Sequence, residues 1–217
     1  MSDRKLRPAR VMRRRELAPG VFLLSAERHS DFTPGQTVSI STDASLPPRP
    51  YSIASGTGDA ELEILFDVVP DGLLTPRLAR LGPGDTLLVS DPFGDFVDRP
   101  GKCFWIATGT GVAPFASMAR SGIAAGRTLL HGSRTLAGLY FRELLEPALG
   151  SSYLPCTSGE AAPGVYRGRV TALLAERELD TGARYLLCGS AEMIVDVRDL
   201  LIGRGVPFSR VSAEVYF

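Results

Sequence analysis

Between Cys103 and Arg120 the sequence reads C-F-W-I-A-T, then Gly109-Thr110-Gly111-Val112-Ala113-Pro114, then F-A-S-M-A-R. An apolar β-forming run, a glycine turn and an apolar-periodic stretch with proline near its start spell strand, tight connection and helix. A strand that runs straight into a helix belongs to a parallel sheet, which needs helices on its faces to bury it. The glycines let backbone N–H groups approach an anion at the helix start, where the dipole and the unpaired donors favour negative charge. Gly109, Thr110, Gly111, Val112 and Pro114 are therefore candidate contacts for the pyrophosphate of a dinucleotide. The rival reading of such a turn is a strand-to-helix connection that binds nothing.

The pattern around this turn divides the chain. Beyond Lys102, apolar strands alternate with helical patterns: strands at C-F-W-I-A-T, R-T-L-L-H-G, S-Y-L-P-C and R-Y-L-L-C-G with a last one at about 208–215, and helices at about 112–124, 138–146, 169–178 and 191–204. This is an α/β domain with a five-stranded parallel sheet, whose ligands sit beyond the carboxyl ends of the strands. The turn Cys188-Gly189-Ser190 and the connections after His131 and Pro155 gather at that edge. From Ala9 to about Val97 the apolar runs V-F-L-L-S-A, T-V-S-I-S, Y-S-I-A-S and L-E-I-L-F-D-V-V are instead separated by turn formers, with one short helix near 73–81. That is an antiparallel β domain, and a barrel closes such a sheet without leaving edges. The expected domains are 1–99 and 100–217.

Within the first domain, Arg49-Pro50-Tyr51-Ser52 sets an anion-binding guanidinium, an aromatic ring and a hydroxyl side by side. Period-2 alternation puts Arg49 and Tyr51 on one face and Ser52 on the other, an arrangement that suits a flat, phosphorylated cofactor. The bland alternative is a barrel strand with an exposed arginine.

Composition narrows the partners. Formal net charge is zero with a pI near 6.7, which points to neither nucleic acid nor a membrane surface. Of 24 basic residues only Lys5 and Lys102 are lysine, leaving 22 arginines, the side chain suited to bidentate phosphate contacts. Cys103, Cys156 and Cys188 lie 53 and 32 residues apart, and His29 and His131 lack ligand spacing, so no metal or iron–sulfur site is expected. The first 15 residues carry seven Arg or Lys but lead into no apolar run of signal-peptide or membrane-helix length, so a soluble, cytoplasmic protein is expected.

Arg49-x-Tyr51-Ser52, Gly109-Thr110-Gly111-Val112-Ala113-Pro114, Cys188-Gly189 and Glu214-Val215-Tyr216, in that order, resemble the ferredoxin–NADP reductase family. The resemblance spans nearly the whole chain. It implies an FAD-binding β-barrel followed by a five-stranded parallel NADP(H)-binding domain, with the active site in the cleft between them. By the same resemblance Arg49 binds the flavin phosphate, Tyr51 packs on the isoalloxazine and Ser52 hydrogen-bonds flavin N5. Val69-Pro70-Asp71-Gly72-Leu73-Leu74-Thr75 is similar to a second flavin-phosphate loop, with Gly72 and Thr75 as contacts. Cys188 takes the place beside the reacting nicotinamide carbon, Gly189 follows it, and Glu214 couples to the active-site serine. Tyr216 covers the other flavin face and gates it, and Phe217 packs toward the adenine. Arg134 and Arg169 match arginines that hold the 2′-phosphate. Where many members have Ser-Arg-Glu this chain has Ser158-Gly159-Glu160, so NADPH is favoured and NADH stays open. FMN is the alternative to FAD.

The implied activity is hydride transfer between nicotinamide C4 and flavin N5, with electrons exchanged singly with ferredoxin or flavodoxin. The basic N-terminal run either docks such an acidic carrier or is a solvated strand face. A reductase component of a multi-protein oxygenase and a non-enzymatic nucleotide-binding module are the other readings.

Overall fold

The computed structural model describes residues 4–216, which fall into two compact units, Met1–Val97 and Asp98–Phe217. The first unit contains β1 (Leu6–Ala18), β2 (Val21–Glu27), β3 (Thr37–Ser41), β4 (Arg49–Ser52), β5 (Glu61–Asp67), the single turn α1 (Thr75–Leu78) and β6 (Thr86–Ser90). These form one antiparallel sheet in the order β4-β3-β6-β1-β2-β5. The sheet closes on itself just past β4, where Ile53 bridges Ile64 of β5 and the Ala54 N–H donates to the Glu63 carbonyl at 2.8 Å. Closure satisfies both end strands, as the short turn-separated runs predict.

β1 is long enough to serve two neighbours. Its first residues pair with β6 and its later ones with β2, with a shift in register between Val11 and Arg13. Ala9 and Val11 face a core shared with Phe22, Leu24, Ile40, Ile64 and Phe66, while the arginines point outward. Those arginines meet acids across the sheet: Arg10 lies 3.6 Å from Glu27 on the adjacent β2, and Arg13 reaches past β2 to β5, 3.1 Å from Glu61 and 3.6 Å from Glu63. Much of the basic run is thus one side of a cross-strand ladder of charge pairs.

The second unit contains β7 (Cys103–Thr108), α2 (Ala113–Arg120), β8 (Arg127–Ser133), α3 (Arg142–Leu149), β9 (Tyr153–Thr157), β10 (Tyr166–Arg167), α4 (Val170–Ala175), β11 (Arg184–Ser190), α5 (Ala191–Gly203) and β12 (Val211–Tyr216). All neighbours pair in parallel, in the order β10-β9-β8-β7-β11-β12. The expectation of five strands is corrected to six. The extra one, β10, is two residues paired with Cys156 and Thr157 of β9, too short to show any periodicity in sequence. The last strand also starts later than expected, because Phe208–Arg210 behind Pro207 forms a 3-10 turn. Trp105, Phe115 and Tyr185 anchor the two sides of this sheet, all fully buried.

Asp98 holds the start of this unit in place. Its carboxylate, fully buried, accepts from Arg127 Nε at 2.7 Å and from Trp105 Nε1 at 2.9 Å, which ties the residues ahead of β7 to β7 and β8.

Candidate functional site

The parallel sheet changes direction of winding between the neighbouring interior strands β7 and β11. A sheet of this kind leaves a crevice at such a switch point, beyond the carboxyl ends of the strands. The glycine turn occupies that position. After β7 the chain passes through a 3-10 turn, Gly109–Val112, with Gly109 at φ +56°, and enters α2 with Pro114 in its first turn. Gly111 lies against the end of β11 so closely that a Cβ there would sit 2.4 Å from the Cys188 carbonyl oxygen. Gly189 has φ +151°, and a Cβ on it would sit 2.3 Å from Thr108 Oγ1. Two glycines nearly 80 residues apart in the chain therefore permit one backbone-on-backbone contact. The Thr108 hydroxyl is buried there and has no hydrogen-bond partner among the described residues.

Register brings in the next groups. Cys188 pairs with Ala107 on one side and with Glu214 of β12 on the other, and Ser190 pairs with Tyr216. Cys188 is fully buried, and Ser190 caps α5 by accepting from the Met193 N–H at 3.3 Å. The same edge carries the two arginines. The Gly159 N–H donates to the Arg134 carbonyl at 2.9 Å, and the Gly168 N–H donates to the Thr157 carbonyl at 2.9 Å, so Arg134 and Arg169 flank the turn that follows β9. Arg134 is exposed, and its guanidinium makes no hydrogen bond or ion pair among the described residues. Arg169 instead pairs with Glu192 at 2.7 Å.

In the first unit β4 places Arg49 and Pro50 in solvent, Tyr51 half-buried and Ser52 buried, so exposure falls steadily along the strand and does not alternate. Tyr51 packs edge-on against Phe66 with ring centroids 6.3 Å apart, and burial, helped by the Asp67 charge, pushes its phenol up to about 12. The Val69–Thr75 loop is folded on itself: the Gly72 N–H donates to the Val69 carbonyl at 2.9 Å, and the Val69 N–H donates to Thr75 Oγ1 at 2.9 Å. The Gly72 N–H is therefore engaged within the loop, whereas Thr75 Oγ1 lies a long 3.5 Å from the Val69 carbonyl oxygen. Phe217 and the side chain of Tyr216 lie outside the described residues.

The pattern of the Oxidoreductase NAD-binding domain family matches residues 105–199. A Flavodoxin/ferredoxin--NADP reductase from Rhodobacter capsulatus is 36% identical over 189 residues, 73% of this chain and 69% of that protein. Ferredoxin--NADP reductase B from Sorangium cellulosum is 34% identical over 96% of both chains. This chain belongs to the ferredoxin–NADP reductase family. It also shares its fold with a ferredoxin NADP+ reductase from Neisseria gonorrhoeae, whose structure holds FAD and NADP, at a TM-score of 0.86 and 22% identity over 98% of this chain and 99% of that one.

Of the two histidines, for which the sequence suggests surface or satisfied core roles, one is a fully buried polar group in this reductase-family chain. His131 on β8 is fully buried; its Nδ1 lies 3.0 Å from the Tyr153 hydroxyl, and its Nε2 has no partner among the described residues. Burial lowers its pKa from 6.5 to about 3, so the ring is neutral in the folded state. Below pH 6.5 the unfolded chain takes up a proton that the folded chain refuses, so stability falls as pH falls toward 3. From the cited shift, this one ring costs about 2 kcal/mol between pH ~6.5 and ~4.5. Urea midpoints read by fluorescence of Trp105, the single tryptophan, should drop over that interval, and drop less in His131→Phe. An identical pH dependence in the two proteins would contradict the assignment.

Proposed function

We propose that this chain is a cytoplasmic flavoenzyme that passes electrons between NADPH and a one-electron carrier, ferredoxin or flavodoxin. The observation that carries the reading is the contact of the Gly109–Gly111 turn with Cys188-Gly189 at the switch point of the parallel sheet. A dinucleotide would suit this place: the two chain segments come together only because Gly111 and Gly189 lack side chains, and the buried Thr108 hydroxyl has no hydrogen-bond partner among the described residues. The names of relatives at 34–36% identity supply the carrier.

The bound cofactors would supply hydride transfer between nicotinamide C4 and flavin N5, and the flavin's one-electron steps. The chain supplies binding and orientation. In the second unit Gly109, Thr110, Gly111, Val112 and Pro114 would take the pyrophosphate on backbone N–H groups at the start of α2. Cys188 would border the nicotinamide ring, with Gly189 leaving room for it. Arg134 and Arg169 would take a 2′-phosphate. In the first unit Arg49 and the Thr75 hydroxyl would meet the flavin phosphate, with Gly72 shaping the loop, and Tyr51 would pack on the ring system. The Ser52 hydroxyl would hydrogen-bond the flavin, and Glu214 and Tyr216 would complete the set. FAD is the expected flavin, with FMN as the alternative, and NADPH is preferred to NADH.

The decisive experiment is anaerobic titration of the purified protein with NADPH and with NADH, followed by identification of the released flavin. A yellow protein, bleached by about one equivalent of NADPH and recoloured by oxidised ferredoxin or flavodoxin, is expected. A protein that holds no flavin, or a bound flavin that neither nucleotide bleaches, refutes the reading.

A further inference from the structure

Glu192 lies in the first turn of α5, where the helix dipole favours an acid, and its carboxylate reaches across to Arg169 ahead of α4. Arg169 and Arg134 bracket the turn Thr157–Gly159 from its two sides. That turn carries no cation of its own. A Cβ at Gly159 would lie 2.8 Å from the Arg134 carbonyl oxygen, so a side chain at this position has to displace the loop after β8. An anion settling over Ser158-Gly159 therefore meets one arginine with no side-chain partner among the described residues, Arg134, and one already engaged, Arg169. The side chains of Arg169 and Glu192 are 67% and 71% exposed, which makes the pair weak enough to open. Once open, the Glu192 carboxylate stays nearby as a like charge facing the newcomer.

We propose that Glu192 narrows the preference of this chain for a 2′-phosphorylated dinucleotide by competing with the phosphate for Arg169. The inference rests on the cofactor reading above. A 2′-phosphate has to take Arg169 from Glu192 and then tolerate the carboxylate, whereas an unphosphorylated ribose makes neither demand. Arg169 contributes less to discrimination than an unpaired arginine at the same place, and Gly159 adds nothing to compensate.

The test uses two nucleotides that differ only in the phosphate, adenosine 2′,5′-bisphosphate and adenosine 5′-monophosphate, titrated calorimetrically into the full chain at fixed ionic strength. Glu192→Gln keeps a hydrogen-bond acceptor beside Arg169 and removes its charge. It should bind the bisphosphate about 3- to 10-fold more tightly and leave the monophosphate unchanged within about twofold. In an Arg169→Ala background the same substitution should give no selective gain, which separates competition for Arg169 from a general change in charge. A bisphosphate affinity indifferent to Glu192→Gln, or equal gains for both nucleotides, overturns the inference while the cofactor reading stands. Failure of both nucleotides to bind the unmodified protein overturns the cofactor reading and this inference together.

Discussion

Replacing Gly111 with alanine should cost about 3 kcal/mol of stability in the second unit and weaken dinucleotide binding more than tenfold. The added methyl would sit 2.4 Å from the Cys188 oxygen, 2.5 Å from its carbonyl carbon and 2.6 Å from the Gly189 nitrogen. All three are backbone atoms of a central strand, so no side chain can rotate away, and either the turn or the end of β11 has to move. Either movement shifts the N–H groups that would face a pyrophosphate. Gly109→Ala is the control: its φ of +56° strains an alanine by about 1 to 2 kcal/mol, but its Cβ would meet nothing within 4 Å. Urea unfolding followed through Trp105 gives the first quantity and nucleotide titration the second. If Gly111→Ala unfolds at the same urea concentration as the unmodified protein, the close contact is not there.

Removing the Asp98 carboxylate should be at least as damaging. Asp98→Ala strips the carboxylate from Arg127, whose side chain is 13% exposed, and from the indole N–H of buried Trp105, leaving the guanidinium only two long 3.4 Å contacts to the Ala125 and Arg99 carbonyls. Breaking one side of such a buried pair costs about 3 to 5 kcal/mol. The pair itself is not worth that much, because its formation also strips water from both charges. The double variant Asp98→Ala/Arg127→Met should therefore recover part of the loss, whereas additive losses would show that the two side chains act independently. Trp105 reports both changes, since it is the donor involved as well as the single tryptophan.

Much of the architecture was legible because it is local. The run C-F-W-I-A-T followed by a glycine turn and proline became β7, a 3-10 turn and α2, since backbone preference and apolar period agree over that stretch. The turn-separated runs of the first 97 residues became a closed antiparallel sheet for the same reason. Two-residue β10 left no such trace, as its pairing with β9 comes from the neighbouring strand and not from its own composition. The basic run in β1 was readable as charge but not as partnership, because Glu27, Glu61 and Glu63 reach it only across the sheet.

The candidate site divides along the same line. The sequence by itself determined which residue types stand where: the arginine, tyrosine and serine of β4, the glycines after β7, the cysteine that ends an apolar strand, and the acid near the C-terminus. Their order along the chain was enough to show a family resemblance. Tertiary structure alone decided that Gly111 touches Cys188, that Cys188 and Glu214 are register partners, that His131 is sealed in neutral form, and that Arg169 is held by Glu192 while Arg134 is not. The physical reason is range. Propensity and periodicity act over a few residues, whereas desolvation, charge pairing and close packing depend on atoms that long-range pairing brings together.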